Sequence, residues 1–134
     1  MVVVDSSFLI AYHNQRDVHH PPAQQAMGQL LAGEWGPGLL LEYVFLEVVT
    51  VLLARRGLDP AVRVATTLLE ASELSFVPCS DIFLDALDAF RTQPRGTLSF
   101  TDAAIVAVAR RRTARVLTFD QDFRGVQGLA VLPE

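Results

Sequence analysis

Short apolar runs alternate along this chain with longer amphipathic stretches, and this alternation limits the possible folds more than any other feature. The apolar runs predict strands at 2–5, 38–41, 74–78, 115–119 and 129–132. The longer patterns predict helices at 7–12, 20–32, 42–56, 60–72, 80–92 and 100–112. Strands that alternate with helices pair in parallel through right-handed crossovers. We therefore expect an α/β fold, a three-layer sandwich around a central, mostly parallel, twisted sheet of about five strands.

The length of the chain and its hydrophobic content indicate one globular domain over residues 1–134. With 134 residues, of which 51% are hydrophobic, the chain can bury a substantial core but has little room for a second domain. The longest apolar runs, at 39–41 and 103–109, are too short to cross a bilayer, and no secretory signal pattern is evident. These features predict a cytoplasmic protein without a membrane-spanning segment.

The basic residues exclude several kinds of site. All 11 are arginines, so the chain cannot use a lysine Schiff base or the phosphate-binding lysine of a P-loop. A net charge of −4 is atypical of a nucleic-acid-binding protein unless a local basic patch or bound cations offset it. The one dense cluster comprises Arg110, Arg111, Arg112 and Arg115. It is either a solvated helix end, which the helix dipole favours, or a phosphate-binding patch.

Two carboxylates directly follow predicted strands. Asp5 ends the run "VVVD", and Asp120 ends "RVLTFD". The carboxyl ends of parallel strands lie at one edge of a sheet, where the ligand sites of α/β folds are found. A carboxylate next to a buried strand is costly unless a cation or hydrogen-bond donors meet it. We therefore expect Asp5 and Asp120 to face a common site.

Two further acids occur in apolar helical sequence. Asp102 opens "TDAAIVAVARRR" and by itself could be a helix-start carboxylate that stabilises the macrodipole. Glu47 lies inside an apolar stretch from Tyr43 to Leu53, where a charged residue is rarely without a partner. Glu42, five residues earlier, points about 140° away from Glu47 on a helix and cannot share its face.

The chemistry of these acids predicts a metal site. The four come from separate elements, and no lysine exists to neutralise them. A hard divalent cation bound by carboxylate oxygens would do so. Oxygen-only ligands favour Mg²⁺ or Mn²⁺ over Zn²⁺, since Cys79 is the only cysteine and is expected in the core. His13, His19 and His20 lie outside the acidic motifs, and the last two indicate an exposed loop before a helix.

Four segments of the chain resemble, in order and spacing, the acidic motifs of PIN-domain ribonucleases, and most closely those of the VapC toxins of toxin–antitoxin pairs. The segments are "VVVDSSFLIA", "EYVFLEVVTVLLARRG", "SFTDAAIVAVAR" and "VLTFDQDF". The resemblance covers essentially the whole chain. It implies an endoribonuclease that hydrolyses RNA phosphodiester bonds with Mg²⁺ or Mn²⁺ and acts as the toxin of a type II toxin–antitoxin system.

The resemblance also implies roles for the acids. Asp5, Glu47, Asp102 and Asp120 match the catalytic positions. Asp5 and Asp102 are expected as direct metal ligands. Asp120, also a metal-binding residue, is expected to complete the shell with Glu47 and to orient water.

Further residues are carried over as supporting or alternative positions. Ser6 and Thr118 match hydroxyls that lie close to the acids in the family, and Asp122 matches a further supporting acid. "FDQDF" offers Asp122 as well as Asp120 for the last motif, and Glu42 is the alternative to Glu47. We prefer Glu47 because it is the more deeply embedded in apolar sequence.

The family resemblance and the high hydrophobic content imply partners. We expect a homodimer that binds a cognate antitoxin, whose tail lies in the groove beside the acids and offers them an arginine. Apolar anchors for this segment are expected on the helices near 20–32 and 42–56. Arg110, Arg111, Arg112 and Arg115 are expected to supply part of the contact with RNA phosphates.

Two other functions fit parts of the pattern. An Asp-based phosphotransfer domain shares the doubly wound sheet and its acidic edge, but it requires a lysine or a second acid two residues after the first. Position 7 is serine, and lysine is absent. A catalytically silent PIN-like interaction module would be favoured by the loss of one acid, whereas all four positions are filled.

Overall fold

The structure, a computed structural model, describes residues 1–134 and contains five strands and six α-helices. The strands are β1 (Val2–Val4), β2 (Gly38–Leu41), β3 (Leu74–Val77), β4 (Arg115–Leu117) and β5 (Val131–Leu132). The helices are α1 (Ser6–Tyr12), α2 (His20–Leu31), α3 (Glu42–Arg56), α4 (Leu58–Glu70), α5 (Phe83–Arg91) and α6 (Phe100–Arg112). Short 3₁₀-helices cover Ser80–Ile82 and Gln121–Gly125.

The five strands form one parallel sheet in the order β3-β2-β1-β4-β5. β1 is central, and its Val3 pairs with Leu39 of β2 on one side and Val116 of β4 on the other. The helices flank this sheet, which confirms the predicted α/β fold. Because all strands are parallel, their carboxyl ends lie at the same edge, and the residues that follow β1 and β4 are neighbours there.

Several predicted boundaries shift by one to three residues. β1 ends at Val4 and β4 at Leu117, because the next side chains leave the sheet for a polar network at its edge. The helix predicted over 80–92 is a 3₁₀-helix followed by α5. Gly57, with φ of 89°, separates α3 from α4, which is a conformation that favours glycine.

The core forms around β1 and α6. Val2, Val3 and Val4 are fully buried. The segment 103–109 of α6 is buried except for the partly exposed Ala107, as its apolar sequence predicts, and α6 packs against β1, β4 and α5. Cys79 is also buried, as expected. No helix has both the length and the apolar character that a membrane crossing requires.

The backbone of β2 is closely packed at Gly38. A Cβ at this position would lie 2.9 Å from Leu74 Cδ2 and 3.1 Å from the Glu73 carbonyl oxygen, so something must move. We expect Gly38→Ala to lower the free energy of unfolding by about 1–3 kcal/mol in urea titrations. Gly28, exposed in α2 with nothing within 4 Å of its Cβ position, is the matched control. Gly28→Ala should raise stability by about 0.5–1 kcal/mol, and equal effects of both changes would contradict this packing.

Candidate active site

Asp5 is held at the carboxyl edge of the sheet by its neighbours on two strands. Its backbone N–H donates to the Leu117 carbonyl at 3.0 Å, which places it beside the end of β4. The side chain is only 2% exposed. Its Oδ2 atom accepts hydrogen bonds from Ser7 Oγ at 2.8 Å and from Thr118 Oγ1 at 2.7 Å. Two hydroxyls therefore satisfy one oxygen of this buried carboxylate.

The same two hydroxyls bind the backbone that follows β4. The N–H of Phe119 donates to Ser7 Oγ at 3.0 Å, and the N–H of Asp120 donates to Thr118 Oγ1 at 2.9 Å. Ser7 and Thr118 thus link the position of Asp5 to that of Asp120. Thr118 was predicted from the sequence, but Ser7 was not. The role of the Ser7 hydroxyl becomes visible only in the contact between α1 and the end of β4.

Glu47 reaches the site from α3. Ser6 Oγ donates to Glu47 Oε1 at 2.8 Å and lies 3.4 Å from Asp5 Oδ1, so this hydroxyl connects the two acids. Glu42, the alternative acid, instead accepts a hydrogen bond from the Cys79 N–H at 2.9 Å. The geometry therefore brings Glu47, and not Glu42, to Asp5.

Asp102 enters the site from the first turn of α6. It forms a reciprocal capping box with Ser99: the Ser99 N–H donates to Asp102 Oδ2 at 2.9 Å, and the Asp102 N–H donates to Ser99 Oγ at 3.1 Å. Asp102 is thus both the helix-start carboxylate and a side chain of the acidic site. The sequence pattern S-x-x-D could have identified Ser99 as the cap.

Asp120 and Asp122 line different cavities in the structure. The N–H of Asp122 donates to Asp120 Oδ1 at 2.9 Å, which caps the 3₁₀-helix over Gln121–Gly125. Asp120 lines the same cavity as Asp5, whereas Asp122 is exposed and lines an adjacent one. Between the two acids of the last motif, the geometry therefore brings Asp120 to the site.

One cavity of about 460 Å³ collects the predicted acids Asp5, Glu47, Asp102 and Asp120. Each has one oxygen held by a hydrogen bond below 3.2 Å, and in the last three the other oxygen has no protein partner. Because no buried polar side-chain atom is left unpaired, these free oxygens are open to solvent. No acid of the cavity forms an ion pair, since the two salt bridges of the chain are Arg91–Asp88 and Arg111–Asp85.

Two of these acids, Asp5 and Asp102, have raised pKa values. Burial, together with the charges of Asp5 and Asp120, raises the pKa of Asp102 to about 6. Burial also raises the pKa of Asp5, against the hydrogen bonds from Thr118 and Ser7, and the charge of Asp120 adds to the effect. The site therefore disfavours its own negative charge.

The donor set fits the predicted cation in its chemistry. The acids of the cavity offer only oxygen atoms, which suits Mg²⁺ or Mn²⁺, and their free oxygens belong to side chains that repel one another. The side chains as they stand do not form a preformed cage of three ligands around one point. Binding of an ion would therefore require small rotations of carboxylates that are each held by a hydrogen bond at one oxygen.

Asp17, His19 and Arg55 also line the cavity, and none of them was predicted there from the sequence. The His19 ring stacks on Phe119 with 4.8 Å between ring centroids. His20, expected in an exposed loop, is half-buried as the first residue of α2, and its Nδ1 lies 2.7 Å from the Ala11 carbonyl oxygen. Burial lowers the pKa of His13, as does the charge of Arg56.

The four arginines expected to contact RNA lie outside the acidic cavity. They are Arg110, Arg111 and Arg112 at the end of α6 and Arg115 at the start of β4. At about 1.5 Å per residue, the last turn of α6 is about 12–15 Å from Asp102 along the helix axis. Arg111 forms an ion pair with Asp85 at 3.0 Å, and Arg110 donates to the Gln127 carbonyl at 3.2 Å. Their RNA contacts stay a prediction.

Comparison with known proteins supplies a family and a set of similar folds. A family model of the PIN domain matches residues 2–129. The chain is similar to Mycobacterium tuberculosis VapC20, described as a Sarcin-Ricin loop cleaving toxin, with 27% identity, a TM-score of 0.80 and coverage of 92% and 93% of the two chains. No curated protein matches.

Two solved structures of lower identity show the same fold. A toxin–antitoxin complex from Klebsiella pneumoniae has 20% identity, a TM-score of 0.69, and coverage of 97% of this chain and 96% of that one. PAE2754 from Pyrobaculum aerophilum has 19% identity, a TM-score of 0.59, and coverage of 97% and 82%.

The raised pKa of Asp102 predicts a pH-dependent cost in the metal-free protein. Between pH 3.8 and about 6 the folded state holds the Asp102 proton more tightly than the unfolded state, so stability falls as the pH rises through this window. Asp102→Asn removes this contribution and keeps an oxygen for the Ser99 N–H. Urea unfolding in a chelator should show the variant gaining stability relative to the wild type from about pH 4 to about pH 7.

Asp81→Asn is the matched control, because Asp81 is exposed and does not line the cavity. Its stability difference from the wild type should change less with pH than that of Asp102→Asn. A constant difference between Asp102→Asn and the wild type across this range would contradict the raised pKa of Asp102.

Proposed function

Since the chain belongs to the PIN-domain family, we propose that it is a divalent-metal-dependent endoribonuclease that hydrolyses RNA phosphodiester bonds. We further propose that it is the toxin of a type II toxin–antitoxin system and acts in the cytoplasm. The observation that carries the proposal is the cavity at the carboxyl edge of the sheet, where the four predicted carboxylates and that of Asp17 meet without forming an ion pair. The similar fold of VapC20, a toxin described as cleaving the Sarcin-Ricin loop, supports the reaction class.

We assign metal binding to Asp5, Asp102 and Asp120. Mg²⁺ or Mn²⁺ would make the attacking water more acidic and offset the charge that develops on the phosphate and the leaving oxygen. Asp102 and Asp120 each present an oxygen that has no protein partner, and Asp5 presents Oδ1, whose only contact is Ser6 Oγ at 3.4 Å. These are the oxygens available for ligation.

Glu47 and the hydroxyls have positioning roles in this proposal. Glu47 completes the acidic shell and accepts a proton or orients water through its free Oε2, while Ser6 holds its Oε1. Ser7 and Thr118 hold Asp5 Oδ2 and so direct the other oxygen of this carboxylate toward Ser6 and the cavity. Because two hydroxyls hold Oδ2, the Asp5 carboxylate needs less rotation to present Oδ1 to a cation.

The charge of the cavity also explains why a cation would be needed before RNA can bind. Five carboxylates line the cavity and repel a phosphodiester, and Arg55 is the only arginine there. A bound divalent cation inverts the local field and makes the cavity receptive to phosphate. The same site without metal would repel its substrate, so RNA binding and metal binding should be coupled.

The Asp5→Asn variant tests the metal site. We expect it to abolish Mg²⁺-dependent cleavage of RNA and to leave the metal-free protein as stable as the wild type or more stable by about 1 kcal/mol, because a buried charge is removed. The amide can still hydrogen bond to Ser7 and Thr118. Free Mg²⁺ at about ten times its dissociation constant should stabilise the wild type by about 1.4 kcal/mol and the variant much less.

Asp81→Asn, at an exposed position outside the cavity, is the matched control and should retain both cleavage and the Mg²⁺ response. Thermal unfolding with and without Mg²⁺, together with gel assays of RNA cleavage, measures both effects. If Asp5→Asn melts well below the wild type without metal while both respond equally to Mg²⁺, Asp5 has a structural role and the proposal fails.

We propose a homodimer and an antitoxin partner as well. The similarity of the fold to a chain of a toxin–antitoxin complex supports the partner. The exposed large apolar side chains are more frequent on α3, α4 and α5 than on α2; those of α5 are Phe83, Leu84, Leu87 and Phe90. A peptide that docks on this protein would therefore find more apolar contacts on α3, α4 and α5 than on α2. Helix α2 had also been expected to provide anchors.

The oligomeric state can be measured directly. Exposed apolar side chains on three consecutive helices should drive self-association, since burying such a patch is favourable. We expect multi-angle light scattering to give twice the mass of the chain at micromolar concentration. The mass of a single chain at every concentration would contradict the dimer.

A further inference from the structure

A second cavity of about 470 Å³ adjoins the acidic one and has a different chemical character. It lies between the α5–α6 connection and the segment that follows Asp120. Asp122 lines this cavity, and its N–H donates to Oδ1 of Asp120, which lines the acidic cavity, at 2.9 Å. The two cavities therefore adjoin across a single 3₁₀ turn. We call the second one the arginine groove, because Arg95 and Arg110 are its basic residues.

Arg95 lies against the backbone of Gly125 on the other side of the groove. A Cβ at Gly125 would overlap the Arg95 guanidinium. The backbone of Gly125 is not in the left-handed region, and a side chain at this position would have to displace the Arg95 guanidinium. Arg95 forms no ion pair and makes no hydrogen bond with the protein. Its guanidinium is thus placed in the groove without being neutralised there.

Two further contacts build the groove. Arg110 of α6 donates to the Gln127 carbonyl at 3.2 Å, which orients its guanidinium while leaving other donors free. Gln93 closes the loop that carries Arg95, because its amide donates to the Leu98 carbonyl at 3.0 Å and accepts from the Leu98 N–H at 2.8 Å. Both arginines therefore project from segments that are held in place.

The charge and geometry of the groove select an anion of a particular kind. Two guanidinium groups face one carboxylate, that of Asp122, in a chain whose net charge is −4. Guanidinium groups recognise phosphate oxygens through paired N–H donors. Because the groove adjoins the acidic cavity, a strand with its reacting phosphodiester in that cavity would place a flanking phosphodiester near the arginines.

We propose that Arg95 and Arg110 form a subsite for a phosphodiester of the RNA strand that flanks the one cleaved, with Gly125 giving Arg95 the space it needs. This inference rests on the proposed endoribonuclease function. Of the four arginines that the sequence led us to expect at the RNA, Arg110 lines the groove, whereas Arg111 forms an ion pair with Asp85. Arg95 was not among those four. The subsite would fix the register of the strand across the acidic cavity.

Binding of a fluorescently labelled single-stranded RNA with cleavage-resistant phosphorothioate linkages, measured by anisotropy in Mg²⁺, tests the subsite with the acidic cavity intact. We expect Arg95→Gln to weaken binding about tenfold and to reduce the slope of log affinity against log salt by about 0.7. Arg63→Gln, an exposed arginine of α4 without an ion pair, removes the same charge elsewhere and should change binding less than about twofold.

The glycine variants separate geometry from charge. Gly125→Ala leaves the net charge unchanged but displaces the Arg95 guanidinium, so it should weaken binding in the same direction as Arg95→Gln. Gly28→Ala, with nothing within 4 Å of its Cβ position, is the matched control and should bind like the wild type. Thermal melting confirms that each variant is folded, and if Gly125→Ala does not fold, Arg95→Gln decides the result.

Two results would overturn the subsite. The first is an unchanged affinity and salt slope for Arg95→Gln. The second is stabilisation of the wild type, but not of Arg95→Gln, by low millimolar inorganic phosphate while RNA binds both equally, which would make the groove a site for free phosphate. Failure of the wild type to cleave RNA in Mg²⁺ would instead refute the proposed function, so the two outcomes are distinguishable.

Discussion

Mutual repulsion among carboxylates at one edge of a parallel sheet is the constraint on which the rest of this structure depends. The fold cannot avoid it, because β1 and β4 are adjacent parallel strands and each is followed by an acid that lines the cavity. Hydroxyl and backbone donors satisfy one oxygen of each acid but provide no positive charge. The raised pKa of Asp102, due first to burial and then to its acidic neighbours, is the remaining cost. A protein that keeps this cost without a cationic partner has an arrangement suited to a cation from solution.

The hydroxyls at this edge make the arrangement specific rather than merely crowded. Ser7 and Thr118 each bind Asp5 and each accept a backbone N–H from the segment after β4. The position of Asp120 therefore depends on the register between β1 and β4, in which Val4 pairs with Leu117. A shift of one residue would turn Thr118 away and deprive the buried Asp5 carboxylate of one of its two hydroxyl donors, at a cost of about 1–3 kcal/mol. The polar network and the sheet register thus specify each other.

The sequence predicts most of what depends on periodicity and little of what depends on contact between distant segments. The mostly parallel sheet and the buried α6 follow from apolar patterns, and the preference for Glu47 over Glu42 follows from its deeper position in apolar sequence. Ser7 and Arg95 could not be identified in the same way. A serine after an acid or an arginine in a loop is usually solvated, and its role appears only when the end of β4 or Gly125 is brought against it.

Helix α6 joins the acidic and basic parts of this surface. Asp102 lies in its first turn, where the helix dipole favours negative charge, and Arg110 lies in its last turn, where the dipole favours positive charge. The residues between them are almost entirely buried, so the helix can neither shift nor rotate without disrupting the core. Their separation along the axis, about 12 Å for eight residues at 1.5 Å each, is therefore fixed by packing. A rigid apolar helix thus sets the distance between the acidic cavity and the arginine that this surface offers to a polyanion.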